Sequence, residues 1–205
     1  MMQIKQTIKQ VCVMQSGAVV LRAQATFVRA EGGDFEKFNA CYENAAMAYL
    51  SWAEHKQGKA LREEYAAQKS NRMFGFRPMI CRMQTQVVWQ RGQFLSVVTD
   101  SIKNSGVTGE YPICHRSAEV WDMGRGAIIP LKYFLVHVPA LRALRVGGKR
   151  PEGIWLDQDG AVLYHNAGAD GYAELRTGLQ VDFVPRRGGT MQDVVPILAE
   201  SANHI

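Results

Sequence analysis

Between residues 9 and 30 apolar and polar side chains alternate about a Ser16-Gly17 turn, and this period of two stops at Glu31-Gly32-Gly33. Val11 and Val13 lie on one arm, and Val19, Leu21, Ala23, Ala25 and Phe27 on the other. Alternation sends every second side chain to the same face, so the stretch predicts a β-hairpin. Past the glycines the period lengthens: Phe38, Tyr42, Ala45, Tyr49 and Trp52 step by 4, 3, 4 and 3. That spacing predicts an α-helix from Phe35 to about Gln68, with Phe35, Ala46 and Ala53 widening its apolar stripe and Gly58 a point of interruption. Asp34 is placed to cap its free first-turn amides. The six acids and six bases between Asp34 and Arg72 make the outer face of this helix solvated and neutral.

Strand patterns dominate the rest of the chain. Met79 to Gln90 and Gln93 to Lys103, rich in Val, Ile, Thr and aromatics, flank Arg91-Gly92 and predict a second hairpin. Ile113 to Asp122 and Ala127 to Ile129 continue the meander around Met123-Gly124-Arg125-Gly126, and a short helix is expected over Val138 to Val146. Ile154 to Leu156 and Val162 to Tyr164 form a third hairpin across Asp157-Gln158-Asp159-Gly160, because Asp-Gly supplies the positive φ of a tight turn. Leu179 to Val184 reads as a strand. Thr190 is placed to cap a final helix through Val194, Val195, Ile197 and Leu198. The expected class is therefore α+β: a largely antiparallel sheet of hairpins covered on one face by one long helix, with short C-terminal helices. A length of 205 residues without a linker or repeat predicts a single domain over 1–205.

Hydrophobic residues at 47% and charged residues at 21% exclude a disordered chain, and 24 basic against 19 acidic residues give a formal charge of +5. That excess permits an acidic partner without requiring one. The apolar runs near the start break at Gln15-Ser16-Gly17 and at Arg22, too soon for a signal peptide, and no membrane span can be drawn; the expectation is a cytoplasmic protein. Cys12, Cys41, Cys81 and Cys114 are separated by 29, 40 and 33 residues, so none forms a C-x-x-C pair, and four buried, reduced thiols are expected. Export by another route would open two disulfides in any of three pairings.

Several short strings, in this order, resemble a known domain. Phe35-Glu36-Lys37-Phe38-Asn39 gives an F-x-x-x-N helix start, and the next hairpin ends in Leu95-Ser96-Val97-Val98. Residues 117–131 contain Ser117, Asp122, Gly126, Ile129 and Leu131 of an S-x-x-x-x-D-x-x-x-G-x-x-I-x-L string, and Trp155-Leu156-Asp157-Gln158-Asp159-Gly160-Ala161-Val162-Leu163-Tyr164 is similar to a "yLTddGlvly" hairpin. Together they resemble, over about residues 9–200, the C-terminal domain of unknown function in RsiV-type anti-sigma factors, which also accompanies peptidoglycan-modifying enzymes. The resemblance implies a non-catalytic α+β module; in the anti-sigma factors it lies outside the membrane and binds lysozyme, which keeps an extracellular role open. Against that pattern, the sequence leads to the expectation of no membrane anchor, sigma-binding segment or export signal. Its loop after the last hairpin, His165-Asn166-Ala167-Gly168-Ala169-Asp170-Gly171-Tyr172, carries over no lysozyme-contacting residue.

The chemistry-bearing residues are sparse. Cys114-His115 is the most reactive-looking pair, since an imidazolium lowers a neighbouring thiol's pKa, and with Glu119 or Asp122 as orienting carboxylate it offers a thiol-dependent hydrolase as the alternative reading. Adjacent strand residues point to opposite faces, which argues for a core Cys beside an exposed His. His55, His137, His165 and His204 show no i, i+4 ligand pair, and Asp157 and Asp159 are explained by their turn, so neither a metal nor a cofactor is expected. Gly124-Arg125-Gly126 and Gly147-Gly148-Lys149 lack nucleotide-loop spacing. Arg142, Arg145, Lys149, Arg150, Arg186 and Arg187 form no nucleic-acid signature and read as solvated loops. The expectation is a binding or sensory module for a protein or cell-wall-type glycan. Its candidate surface is the loop 104–112 with Tyr111, with His115, and the loop 165–172 with Tyr164, His165 and Tyr172, since strand-end loops carry most binding groups. Trp52, Trp89, Trp121 and Trp155, spread over the helix and three strands, favour a monomer with one core, and edge-to-edge pairing into a homodimer is the alternative.

Overall fold

A computed structural model describes residues 2–68, 76–104, 113–168, 171–185 and 194–199. The chain is α+β. β1 (Gln3–Gln15) and β2 (Ala18–Glu31) precede a continuous helix of 33 residues, made of α1 (Glu36–Ser51), a π-helical turn (Trp52–Gln57) and α2 (Gly58–Gln68). β3 (Met79–Arg91), β4 (Phe94–Asn104), β5 (Ile113–Asp122) and β6 (Ala127–Ile129) come next, and then α3 (Leu131–His137) and α4 (Pro139–Arg142). The chain continues through β7 (Gly153–Asp157), β8 (Gly160–Asn166), β9 (Tyr172–Arg176), β10 (Val181–Pro185) and β11 (Val194–Leu198). The strands form a six-stranded sheet that runs in sequence order from β1 to β6, a three-stranded sheet β7-β8-β9 and the pair β10-β11. Its contacts group the chain into two compact units, residues 1–86, 99–116 and 168–171 in the first and the remainder in the second.

In the first unit Ser16 and Gly17 take φ of 49° and 82°, the left-handed pair that a two-residue hairpin needs, and β1 and β2 pair antiparallel from Gln3↔Glu31 to Gln15↔Ala18. The helix covers one face of this hairpin. Its buried row is Phe38, Tyr42, Ala46, Leu50 and Ala53, spaced mostly by four where the sequence suggests alternating threes and fours; Ala45 is exposed, and Tyr49 and Trp52 flank the row. Small residues at 46 and 53 let the helix lie close to the strands, and the π turn carries the row on to Gly58. Asp34 lies one residue before the helix cap, with its Oδ1 3.4 Å from Glu36 N. Asn39 does more to fix this end: its Oδ1 accepts from Ala30 N at 2.8 Å and its Nδ2 donates to Ala30 O at 3.0 Å, satisfying both backbone groups of one β2 residue. On the helix side of the hairpin, Lys9 Nζ bonds Glu43 Oε1 at 2.9 Å, which holds the Glu43 carboxyl below its usual pKa.

One pairing departs from the expected hairpins. β3 lies parallel to β2, from Leu21↔Met79 to Thr26↔Gln84. A helix, not a tight turn, joins these strands, and only a crossover of this kind can join parallel neighbours.

In the second unit Phe134, Val138 and Leu141 from α3 and α4 pack with Ile154, Leu156, Leu163 and Val181, and Phe183 stacks on Phe94 at 4.0 Å between ring centroids. The short helix begins earlier than expected, at Leu131 and Pro139, where Pro130 and Pro139 open the two turns. The expected final helix is a strand. Val194 to Leu198 pairs antiparallel with Val181 to Pro185, Pro196 opposite Phe183. Two β-branched valines and an interior proline, which would break an i→i−4 bond, explain why this segment extends. β9 is an additional strand that begins at Tyr172, the last residue of the loop expected over 165–172; it pairs with β8 from Val162↔Arg176 to Asn166↔Tyr172.

Gly58 sets how closely the helix approaches β1. A Cβ there would lie 2.9 Å from Val13 Cγ2 and 3.2 Å from Cγ1, and Val13 is a buried, β-branched side chain with little room to turn. Gly58→Ala should therefore lower stability by about 1–2 kcal/mol in denaturant unfolding, the overpacking cost exceeding the ~1 kcal/mol of helix propensity gained. In a Val13→Ala background the same substitution should stabilise the protein, so the double-mutant cycle tests the contact directly.

Candidate functional site

The residues singled out in the sequence have different fates. Tyr111 lies outside the described residues. Cys114 is half-buried, not the core residue expected, and His115 is exposed; the two are consecutive residues of β5. Burial, and secondarily the Asp100 carboxylate, push the Cys114 thiol above its ordinary pKa, with Arg116 opposing them. Arg116 grips Asp100 through two bonds of 2.7 Å. The arrangement disfavours the thiolate that a nucleophilic mechanism requires. Asp122, one of the two carboxylates considered as an orienting group, has its Oδ1 committed to Gln93 Nε2 at 2.8 Å and to the amides of Gly124 and Arg125.

Tyr164 is a structural residue. It is buried against Trp155, Val98 and Val162, its ring covers Gly153 across the β7–β8 pair, and its hydroxyl accepts from Ala118 N at 3.0 Å. A Cβ on Gly153 would run into that ring. His165 and Tyr172 sit on strands β8 and β9, not on a loop. His165 Nδ1 lies 3.1 Å from Glu152 Oε1, off the line of a hydrogen bond, while Glu152 Oε2 accepts from Asn166 N and Nδ2 at 3.1 and 3.0 Å. These contacts tie the end of β8 to the residue preceding β7. Among the described residues no three His, Cys, Asp or Glu side chains gather as a metal set, and no helix is long and apolar enough to cross a membrane.

The basic segment also resolves into local structure. Arg145 Nη1 donates to the carbonyls of Arg142, Ala143 and Leu144, which α4 leaves open at its end, and Arg142 Nε donates to Leu135 O at 3.2 Å. Arg186 and Arg187 lie outside the described residues.

The surface that the sequence did not single out is the face of β1-β2-β3 turned away from the helix. Pairing sets three rows across it: Cys12, Arg22 and Ile80; Gln10, Gln24 and Arg82; Ile8, Thr26 and Gln84. All alternate with the buried residues Val13, Ala23, Ala25, Cys81 and Met83. A shallow, half-open hollow of about 600 Å³ lies here, lined by Gln10, Cys12, Arg22, Gln24, Ile80 and Arg82 with neighbouring strand atoms. Gln10 Nε2 donates to Gln24 Oε1 at 3.1 Å and Gln24 Nε2 to Thr26 Oγ1 at 3.3 Å, a polar ladder that fixes the amides between the two arginines. Among the described residues neither Arg22 nor Arg82 has a carboxylate partner, whereas Lys5, Lys9 and Arg29, at the other face of the same hairpin, are paired with Glu31 and Glu43. The sequence shows these arginines only as alternate polar residues of strands. Their convergence depends on the parallel β2–β3 register, which periodicity does not disclose.

Two of the cysteines lie on these opposite faces, Cys12 on the open face and Cys81 on the helix side. All four are free thiols; Cys81 is buried, Cys41 and Cys114 half-buried and Cys12 exposed, so the expected four buried thiols reduce to one. Burial raises the Cys81 thiol pKa, and burial with Cys81 beside it raises that of Tyr49, whose hydroxyl also lies 3.3 Å from Ile102 O.

No family model matches this chain, and neither does any curated protein. Among solved structures it is similar to a member of the DUF3298 family from Bacteroides fragilis, with a TM-score of 0.61 at 15% identity over 86% of this chain and 90% of that one. A DUF3298 family protein from Pseudomonas aeruginosa superposes with a TM-score of 0.49 at 11% identity, over 85% and 89% of the two chains. The Bacteroides protein and this chain share a fold, that of a domain of unknown function.

Thiol placement and the Tyr164 hydroxyl can both be checked in solution. Iodoacetamide at neutral pH should label Cys12 first, Cys41 and Cys114 more slowly, and Cys81 only after unfolding, as read by peptide mass spectrometry. Rapid labelling of Cys114 would contradict its raised pKa. Tyr164→Phe, which removes the acceptor of Ala118 N, should cost about 1–3 kcal/mol in denaturant unfolding.

Proposed function

We propose that this protein is a non-catalytic binding module that holds an acidic, carboxylate-bearing ligand against the open face of β1-β2-β3. The observation that carries this reading is the pair Arg22 and Arg82 beside the Gln10–Gln24 ladder, in a hollow of about 600 Å³, with no acidic side chain among the described residues to neutralise them. Guanidinium groups bind carboxylates through paired N–H donors in a planar fork, and two of them on neighbouring strands give a ligand both charge and direction. The raised Cys114 pKa removes the main support for a thiol hydrolase. The resemblance to the ectodomain of RsiV-type anti-sigma factors and the DUF3298-like fold are in keeping with a recognition role, and a cell-wall peptide or glycan fragment bearing free carboxylates has the chemistry the face would take.

The test is isothermal titration with three probes: muropeptides with free carboxylates, the same fragments with the carboxylates amidated, and lysozyme. Binding of the first, weakened at least tenfold by Arg22→Ala with Arg82→Ala and by raised salt, is the expected result. Equal affinity for the amidated fragments, loss of binding to none of the variants, or binding of lysozyme alone through a surface indifferent to both arginines would overturn it.

A further inference from the structure

β1 is an edge of the six-stranded sheet: β2 is its one strand partner among the described residues, and its other side presents backbone donors and acceptors along Gln3–Gln15. Edge strands of this length are commonly guarded by lysines, bulges or covering segments. Here the guards are weak. Lys5 and Lys9 are drawn into ion pairs with Glu31 at 2.6 Å and Glu43 at 2.9 Å, and the one register shift falls at Val13/Met14, near the strand's end. On the open face the strand shows Ile8, 58% exposed, near its middle. We infer that β1 pairs antiparallel with β1 of a second copy of this chain, about a two-fold axis at Ile8.

Side-chain chemistry selects that axis. A two-fold normal to the sheet keeps each side chain on its own face, so residues opposite one another have numbers with a fixed, even sum. Centring on Lys9 would set Lys9 against Lys9, and centring on Thr7 would set Lys5 against Lys9, like charges directly opposed in both cases. Centring on Gln10 would carry the pairing through the bulge at Val13/Met14. Centring on Gln6 leaves Gln10 to Val13 unpaired. Centring on Ile8 pairs residues 3–13 of each chain, stops before the shift, and places Ile8 on Ile8 with Ile4 against Cys12 on either side, an apolar ladder flanked by Gln6 against Gln10. On the helix face it sets Lys5 against Val11 and Thr7 against Lys9, so each lysine keeps its carboxylate and meets a neutral neighbour. The open faces of two copies then join into one sheet surface.

Sedimentation equilibrium of the intact protein should give a concentration-dependent dimer, and Ile8→Lys, at an exposed position that leaves the fold intact, should convert it to monomer. The register is tested by cross-linking under glutathione disulfide. Ile8→Cys in a Cys12→Ser background and Ile4→Cys with the native Cys12 should each give a covalent dimer, since opposed Cβ atoms lie about 4.5–5.5 Å apart. Met14→Cys in the Cys12→Ser background should give none. A monomer at tens of micromolar, a dimer untouched by Ile8→Lys, or cross-linking through position 14 in place of position 8 would overturn the inference.

Discussion

The first unit rests on a match of lengths. β2 spans fourteen residues, about 45 Å at the rise of a strand, and the helix after it spans 33 residues, about 50 Å at 1.5 Å each. A helix of that length, laid back along the hairpin, returns the chain to the end from which β2 set out. β3 then begins at Met79 opposite Leu21 and has no choice but to run parallel to β2. Asn39 fixes the start of the return by occupying both backbone groups of Ala30, and Gly58 fixes its later course by letting the backbone settle on Val13. With either contact loosened, the register of β3 would lose its reference, because a slip of one residue would turn Cys81 and Met83 outward and Arg82 in.

Buried polar groups in the second unit act in a similar way at shorter range. Ser96 Oγ receives Leu156 N at 2.8 Å in a fully buried setting, and Tyr164 closes over Gly153 while holding Ala118 N. Asp122 gathers a side-chain amide and two backbone amides at one oxygen, which fixes the turn into β6. Ser96, Ala118, Asp122, Leu156 and Tyr164 belong to the strings by which the sequence resembles a known domain. Each string is a joint between elements: Phe38 and Asn39 where helix meets strand, Asp122 at a turn, Asp157 Oδ1 accepting from Asp159 N at 2.8 Å in the last hairpin. A resemblance built from joints therefore carries fold and names no ligand.

The hairpins are legible in the sequence because their turns carry chemistry that only a few residues provide: Ser16-Gly17, Gly92 and Gly160 all sit at positive φ. Ile113–Asp122 and Ala127–Ile129 are legible to the residue for the same reason. Val194 to Leu198 reads as a helix because a capping threonine and four apolar residues outweigh Pro196, and the partner that makes the segment a strand, Val181 to Pro185, lies outside any local window. β9 escapes a sequence reading because Tyr172 to Arg176 is half-exposed and its stability comes from β8. The candidate site is less legible still. Tyr164 draws attention as an aromatic at a strand end, yet its neighbours use every part of it. Arg22 and Arg82 stand sixty residues apart in sequence, and what makes them a pair is the crossover register, a tertiary quantity with no periodic trace.

The distribution of charge differs between the two faces of this sheet. On the helix side Lys5, Lys9 and Arg29 meet Glu31 and Glu43, so the basic residues there are balanced by carboxylates of their own neighbourhood. On the open side Arg22 and Arg82 meet amides and a thiol, and their charge is left to the solvent. Exposed pairs of the first kind contribute little to folding, so the arrangement is not explained by stability alone. Its effect is to leave the positive charge on the open face of the strands without a carboxylate of that face, where salt screens it beyond about 8–10 Å and a group that approaches closely feels most of it. Because alternate residues of the same strands serve the two sides, the open face can change its side chains without disturbing Val13, Ala23, Ala25 and Cys81, on which the helix rests.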